Sequence, residues 1–280
     1  MNTNISTLYN QSIYHPPIPY LVNTFICEYD MSKANINSLR SQDLISDEQY
    51  NYLCNADRME RQIYIGNMLR NDKTKTIAKQ LKNGIINGKK MLFETNELHD
   101  HEILAIKNDA VFVIGRDLQY TEFGKYYKFQ KKNVYTVFMK LQNLEVYYYD
   151  RFVNGALDIN IDVKGIDDSL LPLHENGIID IICSVCSYIQ RGSIKDALMY
   201  ITDIHERYIN RMLPIEYYRE FDYRSQYPFY TRYSLFYLNN IETELTDRFI
   251  NNIDINRNLL IIRDIQFIIS NIYTNMNRRG

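Results

Sequence analysis

Two aspartates occupy positions from which a carboxylate could do chemistry. Asp30 follows LVNTFICEY (21–29), which is rich in β-branched and aromatic residues and predicts a strand, and it precedes a predicted short helix. Asp109 follows Asn108 at a turn between two apolar runs, which predicts a β-hairpin over 102–115. Brought together, the two carboxylates would offer the oxygen ligands that divalent cations prefer. Such a site stabilises the attacking and leaving oxygens of phosphoryl transfer.

Neither aspartate is a specific signal by itself. An aspartate between a strand and a helix often serves as the helix N-cap, which is the ordinary alternative for Asp30. An aspartate in a hairpin is often only a turn residue, which is the ordinary alternative for Asp109. The sequence leaves both alternatives open, and the separation of the two carboxylates in the fold decides between them.

The elements that must position these aspartates belong to an α+β fold. The predicted strands lie at 21–29, 125–129, 133–141, 145–149 and 159–163, in addition to the hairpin. The predicted helices lie at about 46–69, 74–96, 175–190, 193–212 and 241–275. We therefore predict a mixed domain over 1–165, with an antiparallel sheet and a helical insert at about 46–97, followed by an all-helical domain over 166–280.

Charge is unevenly distributed along a chain whose formal net charge is only −2. Residues 58–90 contain nine Lys or Arg and two Asp or Glu, and residues 125–140 contain five lysines and no acid. Such asymmetry indicates a surface that faces a polyanion. The alternative is that these residues are solvated faces without a binding role.

Composition narrows the class of protein. The chain has 280 residues, of which 45% are hydrophobic and 24% charged, which is typical of a folded globular protein. Four cysteines are too few for a disulfide scaffold and favour a reducing compartment. The start of the chain has no signal-peptide layout, and no stretch of 18 apolar residues predicts a membrane span. We therefore expect a cytoplasmic protein without a membrane partner.

The order of these features resembles the palm of template-directed nucleic-acid polymerases, and family-B DNA polymerases most. CEYDMSKANINSL (27–39) resembles their first catalytic motif, and AIKNDAVFVIG (105–115) resembles the hairpin motif that carries a second metal-binding aspartate. FQKKNVYTVF (129–138) is similar to the Lys-Lys-x-Tyr motif, and DINIDVKGID (158–167) is similar to the downstream Lys-Gly-Ile/Leu motif. The resemblance covers residues 20–215 in order, and it implies a palm, a fingers-like insert and a thumb-like region.

The resemblance also implies roles for particular residues. Two Mg²⁺ or Mn²⁺ ions would be held by Asp30 and Asp109, and a sugar-sensing position falls at Asn35. The implied phosphate contacts are Arg58, Arg61, Lys79 and Lys82. The implied nucleic-acid contacts are Lys131, Lys132, Tyr135 and Lys164, and strand parity favours Lys131 as the lysine that shares a face with Tyr135. The implied activity is template-directed nucleotidyl transfer from nucleoside triphosphates to a primer–template, by a minimal polymerase or one part of a split enzyme.

Two departures from the family pattern support a different hypothesis. The hairpin carries Asn-Asp where family B has Asp-Thr-Asp, and only Lys79 and Asn83 remain of the fingers motif. The alternative is therefore a non-enzymatic phage protein, structural or nucleic-acid-binding, that uses the basic helices without metals. The chain looks phage-like in its size and composition, and other replication or virion proteins are its expected partners. The Tyr-rich stretch 217–237 could stack on bases, although core aromatics are the simpler interpretation.

Two further groups of residues look like sites but favour structural roles. His99-Asp100-His101-Glu102 resembles a metal-binding sequence, yet neighbouring residues of an extended turn point to opposite sides, so we predict a polar turn. Cys183 and Cys186 lie in an apolar helical pattern without a second cysteine pair, so we predict buried thiols rather than zinc ligands. No Gly-rich phosphate-binding loop is found in the sequence.

Overall fold

A computed structural model describes residues 5–15, 17–166, 168–221, 230–232, 234, 250–251 and 256–278. These residues form an α+β fold with an antiparallel sheet of eight strands, which confirms the predicted class. The chain divides into two compact units, one made of residues 1–17 and 25–134 and the other of residues 18–24 and 135–280. Within the described residues no helix is both long and apolar enough to cross a bilayer.

The first unit holds the helical insert and the predicted hairpin. Its elements are α1 (Ile5–Leu8), β1 (Ile13–Tyr14), most of β2 (Tyr20–Met31), α2 (Ala34–Ser41), α3 (Asp47–Asn55), α4 (Arg58–Asn71), α5 (Thr76–Thr95), β3 (Ile103–Lys107), β4 (Ala110–Ile114), β5 (Glu122–Phe123) and the start of β6 (Tyr127–Leu141). Strands β3 and β4 form the hairpin, β1 pairs with β3, and β4 pairs with β2, all antiparallel. The two strands predicted at 125–129 and 133–141 are one continuous strand, β6.

The helical insert differs from the prediction in one respect. The helix predicted over 46–69 is two helices, α3 and α4, because the backbone at Ala56 is extended and Asp57 starts a new helix. The Asp57 carboxylate accepts a hydrogen bond from the backbone N–H of Glu60 at 2.8 Å, and the Glu60 side chain caps the backbone of Asp57 in return. The break makes Arg58 the first residue of α4, and Arg61 also lies in its first turn.

Two apolar clusters hold the first unit together. The larger joins the sheet to α5 and includes Cys27, Tyr29, Leu92, Val111 and Phe129. The smaller lies between α2 and the helices of the insert and includes Ile36, Leu39, Leu53 and Ile65. Ile77 and Leu81 of α5 pack against it, since residues four apart share one face of a helix.

The second unit has its own core. Its elements are the first residues of β2, the rest of β6, β7 (Leu144–Val153), β8 (Ala156–Lys164), α6 (Asp180–Gln190), α7 (Ile194–Ile209), β9 (Tyr230–Thr231), β10 (Ile250–Asn251) and α8 (Arg257–Asn277). Val146 and Val163 on the strands pack in one cluster with Ile182 and Ile262 on the helices. The predicted domain boundary at 165 therefore moves to 134–135, because β7 and β8 share their core with the C-terminal helices.

The C-terminal part of this unit also departs from the all-helical prediction. Strands β9 and β10 form a short parallel pair in which Tyr230 is opposite Ile250. The helix predicted over 241–275 begins at Arg257, and residues 241–249 and 252–255 of that prediction lie outside the described residues. Most of the Tyr-rich stretch 217–237 also lies outside them.

Candidate active site

The structure brings Asp30 and Asp109 to the same place in the first unit. Strand β2 pairs with β4 so that Asp30 lies opposite Ala110, and the backbone N–H of Met31 donates to the carbonyl oxygen of Asp109 at 3.2 Å. Both aspartate side chains line one cavity of about 420 Å³. Burial is the main cause that raises the pKa of Asp109, and the negative charge of Asp30 raises it further. Two carboxylates thus line a single cavity, close enough for the charge of one to act on the other.

The N-terminal segment contacts the turn that carries Asp109. Asn108 has φ of 56°, in the left-handed region that asparagine tolerates better than most residues. Its backbone N–H donates to the carbonyl oxygen of Ser12 at 2.6 Å, and β1 continues the sheet beside β3. These contacts fix the position of the turn and therefore of Asp109.

Cationic side chains surround the same cavity. Arg58 and Arg61 lie in the first turn of α4 and line it, together with Lys33 and Lys132. Neither arginine takes part in an ion pair within the part of the chain that the structure describes. Positive charge beside paired carboxylates is the arrangement that phosphate groups and their counter-ions require.

A second cavity of about 410 Å³ lies beside the first and shares Asn35 and Asp109 with it. Lys82 lines this second cavity, whereas Lys79 is exposed on α5 and lines neither. The apolar wall of the second cavity is formed by Leu81, Ile85 and Ile86. Asn35 lies in the first turn of α2, with its side chain exposed between the two cavities.

Lys89 belongs to this site and was not predicted. Its side chain is 1% exposed, lines the second cavity and donates a hydrogen bond to the carbonyl oxygen of Gln11. Burial lowers the pKa of Lys89 to about 8, while the charge of Asp109 acts in the opposite direction. A signal was available in the sequence, since Lys89 lies four residues after Ile85 and three before Leu92, and apolar residues at this spacing mark the buried face of a helix.

Close packing between helices sets the position of α5. A Cβ atom on Gly84 would lie 2.5 Å from Cβ and 2.9 Å from Cα of Ser38 in α2. One turn later, a Cβ atom on Gly88 would lie 2.3 Å from the Met31 methyl group. Only glycine permits this approach, which brings Lys89 next to the turn that carries Asp109.

The two adjacent lysines of β6 lie on opposite faces of the strand, as strand alternation predicts. Lys132 forms an ion pair with the Asp30 carboxylate. Lys131 forms one with Asp117 at 2.8 Å, and Asp117 also accepts hydrogen bonds from the Cys27 thiol and the Tyr29 hydroxyl. The lysine that lines the candidate site is therefore Lys132, whereas the contact of Lys131 with nucleic acid stays a prediction.

The remaining predicted nucleic-acid contacts lie in the second unit. The side chain of Tyr135 is fully buried, and its hydroxyl lies 3.4 Å from a carboxylate oxygen of Asp162. Lys164 forms an ion pair with the same carboxylate at 2.6 Å. Tyr135 is thus part of a core and offers no ring surface to a ligand, which corrects its predicted role.

The donor set decides what cation the site could hold. Asp30 and Asp109 supply carboxylate oxygens, which hard divalent cations such as Mg²⁺ and Mn²⁺ prefer, so the two residues fit such an ion. No cluster of three or more His, Cys, Asp or Glu suitable for a metal occurs within the residues that the structure describes. A cation here would therefore complete its coordination with ligands from substrate or water.

The segment 99–102 and the two cysteines of α6, which were predicted to be structural, have structural contacts in the fold. The rings of His99 and His101 stack 5.5 Å apart, and Glu102 pairs with Arg116 at 2.8 Å, as in a polar turn. Cys186 is fully buried, and burial raises the pKa of Cys183 to about 11. Both cysteines are free thiols of α6.

Comparison with known proteins gives the chain a family and confirms the expected phage character. A search of curated proteins finds no match. A family model described as "Bacteriophage PBS1 gene 130 protein" matches residues 1–276, almost the full length. The chain therefore belongs to this bacteriophage protein family.

Proposed function

We propose that this protein transfers nucleotides to a nucleic-acid primer, as the palm of a template-directed DNA polymerase does. The observation that carries the proposal is the shared cavity, in which Asp30 and Asp109 lie with Arg58 and Arg61. These four residues come from the end of a strand, a hairpin turn and a helix start that are far apart in sequence. Their convergence on one cavity is more informative than any of the four positions alone.

In this proposal each side chain has a separate task. Asp30 and Asp109 would hold Mg²⁺ or Mn²⁺, and a cation bound there would supply the positive charge that activates the primer 3′-hydroxyl and compensates the departing pyrophosphate. Arg58 and Arg61 bind the triphosphate of the incoming nucleotide. Asn35, exposed between the two cavities, contacts the sugar.

The second cavity and helix α5 bind the remaining parts of the substrates. The nucleoside end of the nucleotide occupies the cavity that Leu81, Ile85 and Ile86 line, and Lys82 lies at the edge of this cavity. Lys79, nearer the start of α5, contacts nucleic acid. The substrates are nucleoside triphosphates and a primer–template. The protein acts in the host cytoplasm, as a minimal polymerase or as one part of a split enzyme with other replication or virion proteins.

Primer extension tests this proposal directly. A labelled primer–template, nucleoside triphosphates and Mg²⁺ or Mn²⁺ are incubated with the wild-type protein, with Asp109→Asn and with Asp43→Asn. Asp109→Asn should abolish extension, since an amide is a poor substitute for an anionic ligand. Asp43 is the control because it is an aspartate of the same unit whose side chain is 89% exposed and lines neither cavity. Equal extension by wild type and Asp109→Asn would refute the assignment.

One observation favours the non-enzymatic alternative, a phage protein that binds nucleic acid without metals. Lys132 already pairs with Asp30, so the charge of that carboxylate is compensated without an added cation. If no extension occurs under any metal condition while salt-sensitive binding to DNA persists, this second function is the correct one.

A further inference from the structure

The Lys132 side chain places a positive charge inside the candidate site. The Lys132 ammonium forms an ion pair with Oδ2 of Asp30, and its charge also acts on Asp109. Asp30 is therefore engaged before any external ion arrives. A divalent cation that uses both aspartates has to compete with this ammonium group.

Two lysines act on Asp109, and they differ in how easily they can move. Lys89 is 1% exposed and donates a hydrogen bond to the carbonyl oxygen of Gln11, so moving its ammonium would break that bond and leave the oxygen without this donor. The Lys132 side chain is 53% exposed and pairs with a carboxylate that is itself 21% exposed. Exposed ion pairs are held weakly, because solvent screens the charges and the side chain loses conformational freedom. Lys132 can therefore leave its partner while Lys89 stays.

We propose that Lys132 is the resident counter-ion of Asp30, that a divalent cation displaces it, and that the freed ammonium then binds phosphate oxygens in the same cavity. The proposal rests on the function proposed above, in which Asp30 and Asp109 are metal ligands. It adds a regulatory step, since the ammonium group of Lys132 changes partner when the cation arrives.

The position of Lys132 explains why the freed ammonium would serve a substrate. Lys132 lines the same cavity as Arg58 and Arg61, so its released charge joins theirs at the phosphate-binding end. Cation binding and phosphate binding are then coupled, because each favours the state in which Lys132 has left Asp30. The neighbouring lysine cannot take over, because Lys131 lies on the opposite face of the strand and does not line the cavity.

The proposal is tested by titrating the protein with Mn²⁺ and following the electron paramagnetic resonance signal of free aqueous Mn²⁺. The variants are Lys132→Met, Lys132→Gln and the matched control Lys131→Met, with Asp109→Asn added to wild type and to Lys132→Met. Removing the competing unit charge a few ångströms from the site should tighten Mn²⁺ binding about tenfold or more. Lys131→Met should bind Mn²⁺ as the wild type does, and Asp109→Asn should remove the site in both backgrounds.

The outcomes separate this proposal from the one on which it rests. Equal or weaker Mn²⁺ binding by both Lys132 variants, at a site that still depends on Asp109, would overturn the competition and leave the proposed function standing. If no variant, including Lys132→Met, binds Mn²⁺ in a way that depends on Asp109, both proposals fall. Circular dichroism establishes that each variant is folded, and Lys132→Gln replaces Lys132→Met where the latter is not.

Discussion

The close approach of α5 to α2 makes a quantitative prediction about two glycines. Both Gly84 and Gly66 lie in helix interiors, where replacing glycine by alanine gains about 0.5–1 kcal/mol of helix stability. A Cβ atom on Gly66 meets nothing within 4 Å. Gly66→Ala should therefore stabilise the protein by about that amount.

Gly84→Ala should behave in the opposite way. Its Cβ atom would lie 2.9 Å from the Cα atom of Ser38, a backbone atom that cannot rotate away. The helices have to separate, and such overpacking costs about 1–3 kcal/mol. Since the gain in helix propensity is the same for both glycines, the free energies of unfolding of the two variants should differ by about 1–3 kcal/mol.

Urea denaturation of Gly84→Ala, Gly66→Ala and the wild type measures this difference. Gly84→Ala should also reduce nucleotide binding, because moving α5 displaces Lys82 and Lys89 from the second cavity, whereas Gly66→Ala should not act through α5. If Gly84→Ala stabilises the protein as much as Gly66→Ala does, the packing of α5 against α2 described above is wrong.

Three other predictions follow from charge and burial. Affinity for DNA should fall steeply between 50 and 200 mM salt, and the slope of its logarithm against log salt should decrease by about one for Lys79→Gln, because the proposed function places Lys79 in contact with nucleic acid; an unchanged slope would make Lys79 a solvated residue only. Lys132→Ala should weaken duplex affinity several-fold at fixed salt, and Lys131→Ala much less, because Lys132 lines the candidate cavity and Lys131 lies on the opposite face of β6; the reverse order would place the duplex on that other face. Burial raises the pKa of Glu220 from 4.5 to about 7. As pH rises from 4.5, Glu220 therefore loses its proton in the unfolded chain before it does so in the folded protein. The free energy of unfolding should fall by at most about 3 kcal/mol between pH 4.5 and 7 and stay level above that range. Glu220→Gln should abolish this fall in a urea-denaturation series across that range, and an unchanged pH profile would show that another group causes it.

The local elements of the site could be predicted from the sequence. The apolar strand before Asp30, the Asn108 turn before Asp109 and the period of α5 are all set by neighbouring residues, so they are visible without a structure. The break before α4 was also encoded, by the capping pair Asp57 and Glu60, although the prediction ran one helix through it. The predicted α+β class rests on these local patterns and is confirmed.

Which element lies beside which was not visible in the sequence. That β2 pairs with β4, and so brings Asp30 to Asp109, depends on contacts between residues some 80 positions apart, which no local pattern encodes. The same holds for the unit boundary at 134–135, because β7 and β8 could have packed with either half of the chain.

The role of each charged side chain was decided only by tertiary structure. Lys131 and Lys132 are chemically identical neighbours, yet one pairs with Asp117 and the other with Asp30, because adjacent residues of a strand face opposite sides. Lys89 was one of nine basic residues in a run, and it became part of the site because glycines let α5 approach closely enough to bury it. A sequence gives the type and spacing of charges, whereas burial and distance, which fix their energies, exist only after the chain has folded.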